Sequence, residues 1–174
     1  MSFELAITQS TYNLFAQSSF ALITLQFLTN ALWIIMLIYF AMSAFMQGRY
    51  LLIAFFVACT TIGFGLKELI TLFFVRIRPY ELIHAEVISN LTKNSFYSTH
   101  TFVAFIIAFY IFFLTKSKVI RIIAIILAII VAFTRLALAQ HYISDIFAGF
   151  LLALILYLIT KAIYEKYFVE KISN

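Results

Sequence analysis

Five long apolar runs organise the chain, each close to the roughly 20 residues that a helix needs to cross a bilayer. The first and third runs contain no Asp, Glu, Lys or Arg, whereas the second is interrupted by Lys67 and Glu68. Such runs predict transmembrane helices, and we therefore expect an all-α integral membrane bundle with five spans. The predicted spans are residues 20–45, 50–74, 99–115, 119–139 and 146–164.

The N-terminal segment, residues 2–18, has a different pattern. Apolar residues such as Phe3 and Leu14 are mixed with polar ones such as Gln9 and Asn13. The segment is too polar to cross a bilayer and is typical of an amphipathic helix that lies in the membrane interface. The chain then reads as a single domain, residues 1–174, with an interfacial helix at 2–18, a transmembrane core at 20–164 and a cytoplasmic tail at 165–174.

Composition supports the membrane assignment and excludes several other classes. The chain is 65% hydrophobic and only 11% charged, with a mean hydropathy of +1.08, which a soluble domain of this size would not need. Its one cysteine, Cys59, rules out a disulfide within a monomer. The N-terminus carries Glu4 in place of a basic start, so we expect no cleavable signal peptide.

The distribution of Lys and Arg predicts the orientation of the chain. If the five spans alternate, seven of these residues fall on one face and four on the other. Because the cytoplasmic side carries the excess of positive charge, the face with seven is predicted to be cytoplasmic. The net charge of +5 is therefore explained by topology, and no nucleic-acid partner is expected. The seven are Arg49, Lys116, Lys118, Arg121, Lys161, Lys166 and Lys171, and the four are Arg76, Arg78, Lys93 and Arg135.

The strongest sign of chemistry is the series Thr134-Arg135, His141 and Asp145. Asp145 is the only Asp among the 174 residues, and Arg135 follows a long apolar run. A charged residue at membrane depth is costly and marks a functional site by default. His141 and Asp145 are four residues apart, so on a helix they would share one face, where a carboxylate would fix the tautomer of the imidazole.

Two further segments contribute polar residues to the same membrane face. The loop between the second and third spans holds Arg76, Arg78 and Pro79, and Ser98 and His100 stand at its far edge. The turn before Asp145 lies two crossings later, and two crossings return the chain to the same face. The sequence therefore predicts one site that combines arginines, two imidazoles and a carboxylate. Arginine binds phosphate well, and several guanidinium groups would repel the zinc ion that His and Asp could otherwise bind.

In this order and topology the three segments resemble the type 2 phosphatidic acid phosphatase superfamily. The family pattern is KxxxxxxRP, then PSGH, then SRxxxxxHxxxD, and the resemblance covers roughly residues 50–164. It implies that His141 is the nucleophile, that Asp145 orients it, and that His100 protonates the leaving oxygen. It also implies phosphate binding by Arg78, Arg135, Ser98 and the backbone of Thr99, with no metal or cofactor.

Two positions depart from the family pattern. Thr71 stands where the family has Lys, and Thr99 stands where it has Gly. Lys67 lies one turn before Thr71, but its side chain is expected to point toward the start of the helix and away from the site. Arg76 is therefore the candidate that would replace the missing positive charge as a phosphate ligand.

These patterns lead to one main functional hypothesis and two alternatives. The main hypothesis is a lipid-phosphate phosphatase of a bacterial inner membrane, with its site on the periplasmic or extracellular face and a phosphohistidine intermediate. Its partners would be membrane lipids and a phospholipid, polyprenyl or lipid A phosphate as substrate. Undecaprenyl pyrophosphate and phosphatidylglycerophosphate come first, and lipid A 1-phosphate next. The alternatives are a lipid phosphotransferase with the same intermediate and a lipid-binding protein with a degraded site.

Overall fold

The computed structural model describes residues 2–86 and 94–169, and within these ranges the chain is helical. The regular backbone pairing outside the helices is a single antiparallel bridge between Ile77 and Asn94 in the part described. Lys93 and the last five residues of the predicted tail, which include Lys171, lie outside these ranges. The helices are α1 (Phe3–Asn13), α2 (Ser19–Met46), α3 (Tyr50–Phe73), α4 (Pro79–Leu82), α5 (Thr99–Leu114), α6 (Lys118–Ala137) and α7 (Ile143–Tyr164), followed by a π-helical segment (Glu165–Val169).

The predicted all-α membrane fold is confirmed. By length and composition α2, α3, α6 and the continuous helix Ile143–Phe168 are able to cross a membrane, and α5 is a shorter apolar helix. The short helix α5 is central, because it packs against α2, α3, α6 and α7. Residues around its whole circumference are buried, as the four consecutive residues Phe105, Ile106, Ile107 and Ala108 show. An apolar residue on every face is what a helix enclosed by others requires.

Serine residues begin several of these helices. Ser2, Ser18, Ser98 and Ser117 each precede a helix, and their hydroxyls accept hydrogen bonds from backbone N–H groups three residues later. Such caps satisfy N–H groups that have no partner inside the helix. The serine positions therefore mark the starts of α1, α2, α5 and α6.

The N-terminal segment forms a helix, although a shorter one than predicted. Helix α1 ends at Asn13, and its contacts are with α4, α6 and α7. Tyr12, Leu22, Leu138 and Ala139 form a separate buried cluster that fixes α1 against the rest of the molecule. Its placement in a membrane interface stays a prediction.

The connection between α6 and α7 corrects one prediction. Helix α6 ends at Ala137 and α7 begins at Ile143, so His141 lies in the turn and the two residues His141 and Asp145 do not share one helix. The positive φ of 51° at Ala139 takes the chain out of α6. Helix α7 starts earlier than predicted because the Asp145 carboxylate accepts the N–H of Tyr142 at 3.0 Å, which caps the first turn.

Gly149 permits a close approach between α7 and the start of α5. A Cβ atom at this position would lie 2.6 Å from the backbone oxygen of Ser98. Only glycine leaves room for this contact without a shift of backbone. The beginning of α5, with Ser98 and His100, is thereby held against the helix that carries Asp145.

Candidate active site

The sequence-predicted residues from four parts of the chain meet at one end of the bundle. The backbone N–H of Ser98 donates to the Asp145 carbonyl at 3.1 Å, which joins the starts of α5 and α7. Arg78 Nη1 donates to the Gln140 carbonyl at 2.8 Å, which joins the segment before α4 to the turn after α6. These bonds bring His100, Arg135, His141 and Asp145 into one neighbourhood.

The tautomer of His141 follows from its contact with Arg78. Arg78 Nη1 lies 3.2 Å from His141 Nε2. A guanidinium has only donors, so the nitrogen that faces it must present a lone pair. In the neutral ring the proton then lies on Nδ1, which faces Asp145 Oδ2 at 3.8 Å. Nε2 is therefore the nitrogen with nucleophilic character.

The surroundings of His141 keep its ring neutral. The side chain is almost fully buried, and this burial lowers the pKa of His141 well below its usual range; Asp145 opposes the shift, while Arg78 and Arg135 add to it. A ring with a lowered pKa stays unprotonated at neutral pH, and only the unprotonated ring has the lone pair that a nucleophile needs.

Asp145 is held by two strong donors. Its side chain is fully buried, with Oδ2 on the Tyr142 N–H and Oδ1 2.6 Å from Arg76 Nη1. The distance of 3.8 Å from Oδ2 to His141 Nδ1 is longer than a hydrogen bond. Catalytic hydrogen bonds are often long before substrate binds and shorten in the complex.

Arg135 is a buried cation that has unsatisfied hydrogen-bond donors among the described residues. Its side chain is 1% exposed, and within the described ranges its Nε and Nη1 atoms have no hydrogen-bond partner. His100 interacts electrostatically with Arg135, His141 and Arg78. An anion bound among these residues would satisfy the donors of Arg135 and offset the buried positive charge.

Ser98 and Thr99 form the N-terminal end of α5. The Ser98 hydroxyl accepts from the N–H of Thr101 at 3.4 Å and from its hydroxyl at 2.9 Å. Thr99 is the first residue of the helix, so its backbone lies where free N–H groups favour a negative ligand. The side chain of Thr99 is compatible with this position, because the residue is helical and needs no positive φ.

Arg76 has a different position from the one predicted for a phosphate ligand. Its Nη2 lies 2.6 Å from Glu4 Oε2 and its Nη1 lies 2.6 Å from Asp145 Oδ1, with a further bond to the Ser144 hydroxyl at 2.7 Å. The guanidinium also stacks on the Tyr142 ring at 3.9 Å. Both of its terminal nitrogens are therefore used by carboxylates, and Arg76 supports Asp145 in place of the predicted phosphate contact.

An apolar cavity opens beside His100. Its volume is about 290 Å³, and it lies between α2, α3 and α5. Apart from Thr60, Thr99 and His100, the residues around it are apolar. They are Trp33, Leu37, Phe56, Thr60, Phe64, Thr99, His100 and Val103.

Comparisons with known proteins identify the family of this chain and a similar fold. The model of the PAP2 superfamily matches residues 50–168, which is more than half of the chain. The chain belongs to the PAP2 superfamily. No curated protein sequence matches it significantly. A similar fold is found in the crystal structure of the first transmembrane PAP2 type phosphatidylglycerolphosphate phosphatase from Bacillus subtilis, with a TM-score of 0.73 and 23% identity over 94% of this chain and 85% of that one.

Thr71 and Lys67 show how this chain differs from the PAP2 pattern at the family's Lys position. Thr71, at the family's Lys position, accepts a hydrogen bond from the Asn94 side chain at 3.0 Å. The ammonium group of Lys67 donates to the carbonyl of Phe96 and, at 3.0 Å, to that of Tyr97. Lys67 therefore holds the segment that leads into Ser98, and it interacts electrostatically with Arg78 and Asp145. The expectation that its side chain points away from the site is wrong.

Sequence reasoning missed two residues that support this PAP2 site. Asn94 Oδ1 accepts the N–H groups of Arg76 and Phe96, both at 3.1 Å, so it ties together the two segments that carry Arg78 and Ser98. Glu4 reaches the site from α1. Neither has a local sequence signal. Among the described residues there is no group of three or more His, Cys, Asp or Glu that could hold a metal ion.

Proposed function

We propose that this chain is an integral membrane lipid-phosphate phosphatase that works through a phosphohistidine on His141. The observation that carries the proposal is the buried His141 ring, whose Nε2 faces Arg78 at 3.2 Å. Arg135, which acts electrostatically on this ring, has donors that no described residue satisfies. A neutral nucleophile next to buried cations is suited to a substrate that is itself an anion.

In the first half of the proposed reaction, Arg78 transfers its donors from His141 to the phosphoryl oxygens. Nε2 attacks phosphorus, the bond from phosphorus to the lipid oxygen breaks, and His100 gives that oxygen a proton. Asp145 stabilises the positive charge that develops on the ring. Arg78, Arg135, Ser98 and the Thr99 backbone hold the equatorial oxygens, and Arg76 acts through Asp145.

In the second half, water attacks the phosphorus of the phosphohistidine. His100 takes a proton from this water, the bond from phosphorus to Nε2 breaks, and inorganic phosphate leaves. His141 returns to its neutral form and His100 to its protonated form. The positive residues neutralise the charge of the transferred group, so the proposed reaction is metal-independent and needs no cofactor.

The cavity beside His100 supports a lipid substrate. It is apolar, and at about 290 Å³ it has room for part of an acyl or prenyl chain. Undecaprenyl pyrophosphate and phosphatidylglycerophosphate are the preferred candidates, ahead of lipid A 1-phosphate. The similar Bacillus subtilis protein is described as a phosphatidylglycerolphosphate phosphatase, which favours the second of these.

The proposed setting is a bacterial inner membrane. Helix α5 would complete a set of five spans, α1 would lie in the interface, and the excess of Lys and Arg would place the active site on the periplasmic or extracellular face. The whole chain, residues 1–174, would form one membrane-embedded phosphatase domain.

A panel of lipid phosphates tests the proposed function. The purified chain in mixed micelles should release inorganic phosphate from at least one of undecaprenyl pyrophosphate, phosphatidylglycerophosphate and lipid A, and addition of EDTA should leave the rate unchanged. A free long-chain alcohol acceptor, added in a parallel reaction, would reveal phosphotransfer as a new phosphorylated lipid. Release of no phosphate from any substrate would favour a lipid-binding protein, the alternative that the missing Lys at Thr71 suggests.

The role of His100 predicts a dependence on the leaving group. A phosphate monoester expels an alkoxide-like oxygen that needs a proton, whereas a pyrophosphate expels a phosphate that is stable without one. We therefore expect His100→Asn to slow the formation of the phosphohistidine by about 1,000-fold on a monoester and by only about tenfold on a lipid pyrophosphate. Equal losses on the two substrates, measured as release of the lipid product in a single turnover, would contradict the acid role of His100.

A further inference from the structure

Glu4 connects the N-terminal helix to the catalytic pair. Its Oε2 lies 2.6 Å from Arg76 Nη2, and its Oε1 accepts the backbone N–H of Ser144 at 3.1 Å. Arg76 in turn contacts Asp145, and Ser144 directly precedes Asp145 in α7. One carboxylate of α1 therefore holds both the cation that contacts Asp145 and the backbone that carries it.

We propose that Glu4 is a positioning residue of the phosphatase reaction, acting on His141 through Arg76 and Asp145. This inference rests on the proposed function, because it assigns Glu4 a part in that same site. Glu4 has no contact with the reacting atoms, and its effect passes through the two ion pairs of Arg76.

The charges explain why a carboxylate is needed at this position. Without Glu4, the full charge of Arg76 would act on Asp145 alone and reduce the negative charge that supports the developing imidazolium of His141. With Glu4 present, Arg76 is shared between two carboxylates at 2.6 Å each. Hydrogen bonds from Ser144 and Arg76 outweigh burial and lower the pKa of Glu4, so the carboxylate is charged at neutral pH.

The geometry gives a second reason. Asp145 contacts His141 across 3.8 Å and must approach it by about 1 Å to form a hydrogen bond. Arg76 fixes one oxygen of Asp145, and Glu4 fixes Arg76 in a single orientation over the Tyr142 ring. A displacement of about 1 Å at a catalytic group is enough to cost up to about 100-fold in rate.

Helix α1 does not depend on Glu4 for its attachment. The Tyr12 hydroxyl accepts the N–H of Glu86 at 3.0 Å, and the rings of Phe15 and Phe133 pack edge to face at 6.1 Å. The buried cluster around Tyr12 and Leu22 adds apolar contacts. Substitution of Glu4 therefore removes the bridge to Arg76 while α1 stays docked.

The substitution Glu4→Gln tests this role. Glutamine has nearly the same shape as glutamate but no charge. Its amide NH2 group would face either the Arg76 guanidinium or the Ser144 N–H, and both of these are hydrogen-bond donors. We expect kcat for phosphate release to fall about tenfold, with KM changed by less than about twofold, because ground-state binding does not involve Glu4. Glu86→Gln is the matched control, since Glu86 is an exposed carboxylate near the same end of the bundle, and it should leave kcat unchanged.

A double-mutant cycle with Arg76→Lys tests the route. Lysine cannot contact both carboxylates in the same way, so Glu4→Gln should change kcat by less than about twofold in the Arg76→Lys background. The inference about Glu4 would be overturned if Glu4→Gln had equal effects in both backgrounds, changed KM alone, or had no effect on the otherwise wild-type protein. In each of these cases, phosphate release by the wild-type protein would still support the proposed function. If the fall in kcat were accompanied by a lowered melting temperature, Glu4 would contribute to folding, and the positioning role proposed for it would also be overturned. If the wild-type protein released no phosphate, both the proposed function and the role of Glu4 would be refuted.

Discussion

Replacement of His141 by Asn should reduce phosphate release by at least about 1,000-fold on every substrate of the lipid panel. Asparagine is polar and smaller than histidine, so the turn between α6 and α7 is expected to keep its conformation. The loss follows because, in the part of the chain that the structure describes, no other group has a lone pair placed opposite Arg78 and backed by Asp145. The measurement is kcat on the best substrate of the lipid panel, compared with the melting temperature in detergent.

His84→Asn is the matched control for this prediction. His84 is an exposed residue after α4 with a φ of 52°, a conformation that asparagine tolerates. It should keep wild-type activity. Wild-type enzyme that is denatured in alkali during turnover should also carry a phosphohistidine that His141→Asn lacks, because the bond between phosphorus and imidazole nitrogen survives alkali but not acid. An unchanged rate in His141→Asn, or a phosphohistidine that persists in it, would refute the nucleophile assignment.

The helical framework was predictable because burial in lipid or in the bundle imposes long apolar runs. Helices α2, α3 and α5 begin and end within one residue of the predicted limits. The last helix begins three residues earlier than its apolar run predicts, because the run itself starts only after Asp145. In the structure it lies inside the first helical turn and accepts the N–H of Tyr142. An acidic residue in a first turn is a known signal of a helix start, and Asp145 is such a residue.

The site was predictable in composition but only partly in geometry. The three motifs indicated which residues converge, and the topology indicated the face on which they do so. The partner of Arg76 was not predictable, because Glu4 lies 72 residues away from it and 140 residues away from Ser144. Such contacts depend on how α1 packs across the end of the bundle. Hydrophobic periodicity does not specify that packing.

The second large effect is expected for Arg135→Lys. Arg135 is 1% exposed and retains unsatisfied donors at Nε and Nη1 among the described residues, and a phosphoryl group is the natural acceptor for them. Lysine keeps the charge and much of the apolar stem but has no planar set of donors. Removal of one such interaction with a transition-state oxygen typically costs 100-fold or more, so we expect kcat/KM to fall about 100-fold.

Arg121→Lys provides the control within the same helix. Arg121 lies near the other end of α6, where its Nε donates to the Thr115 carbonyl at 2.8 Å and its guanidinium packs on Phe112. It should keep at least half of the wild-type kcat/KM, because a surface contact of this kind contributes little. If Arg135→Lys and Arg121→Lys lost activity equally, the loss would come from a disturbed α6 and not from a lost phosphate contact.

A binding measurement separates phosphate recognition from damage to the bundle. Orthovanadate, an analogue of the phosphoryl group, should raise the melting temperature of the wild-type protein, because a ligand that binds only the folded state stabilises it. In Arg135→Lys the rise should be much smaller, whereas the melting temperature without vanadate should stay close to that of wild type. A full vanadate response in Arg135→Lys would mean that the buried guanidinium serves packing, and the anion would then have to be held by Arg78 and the start of α5 alone.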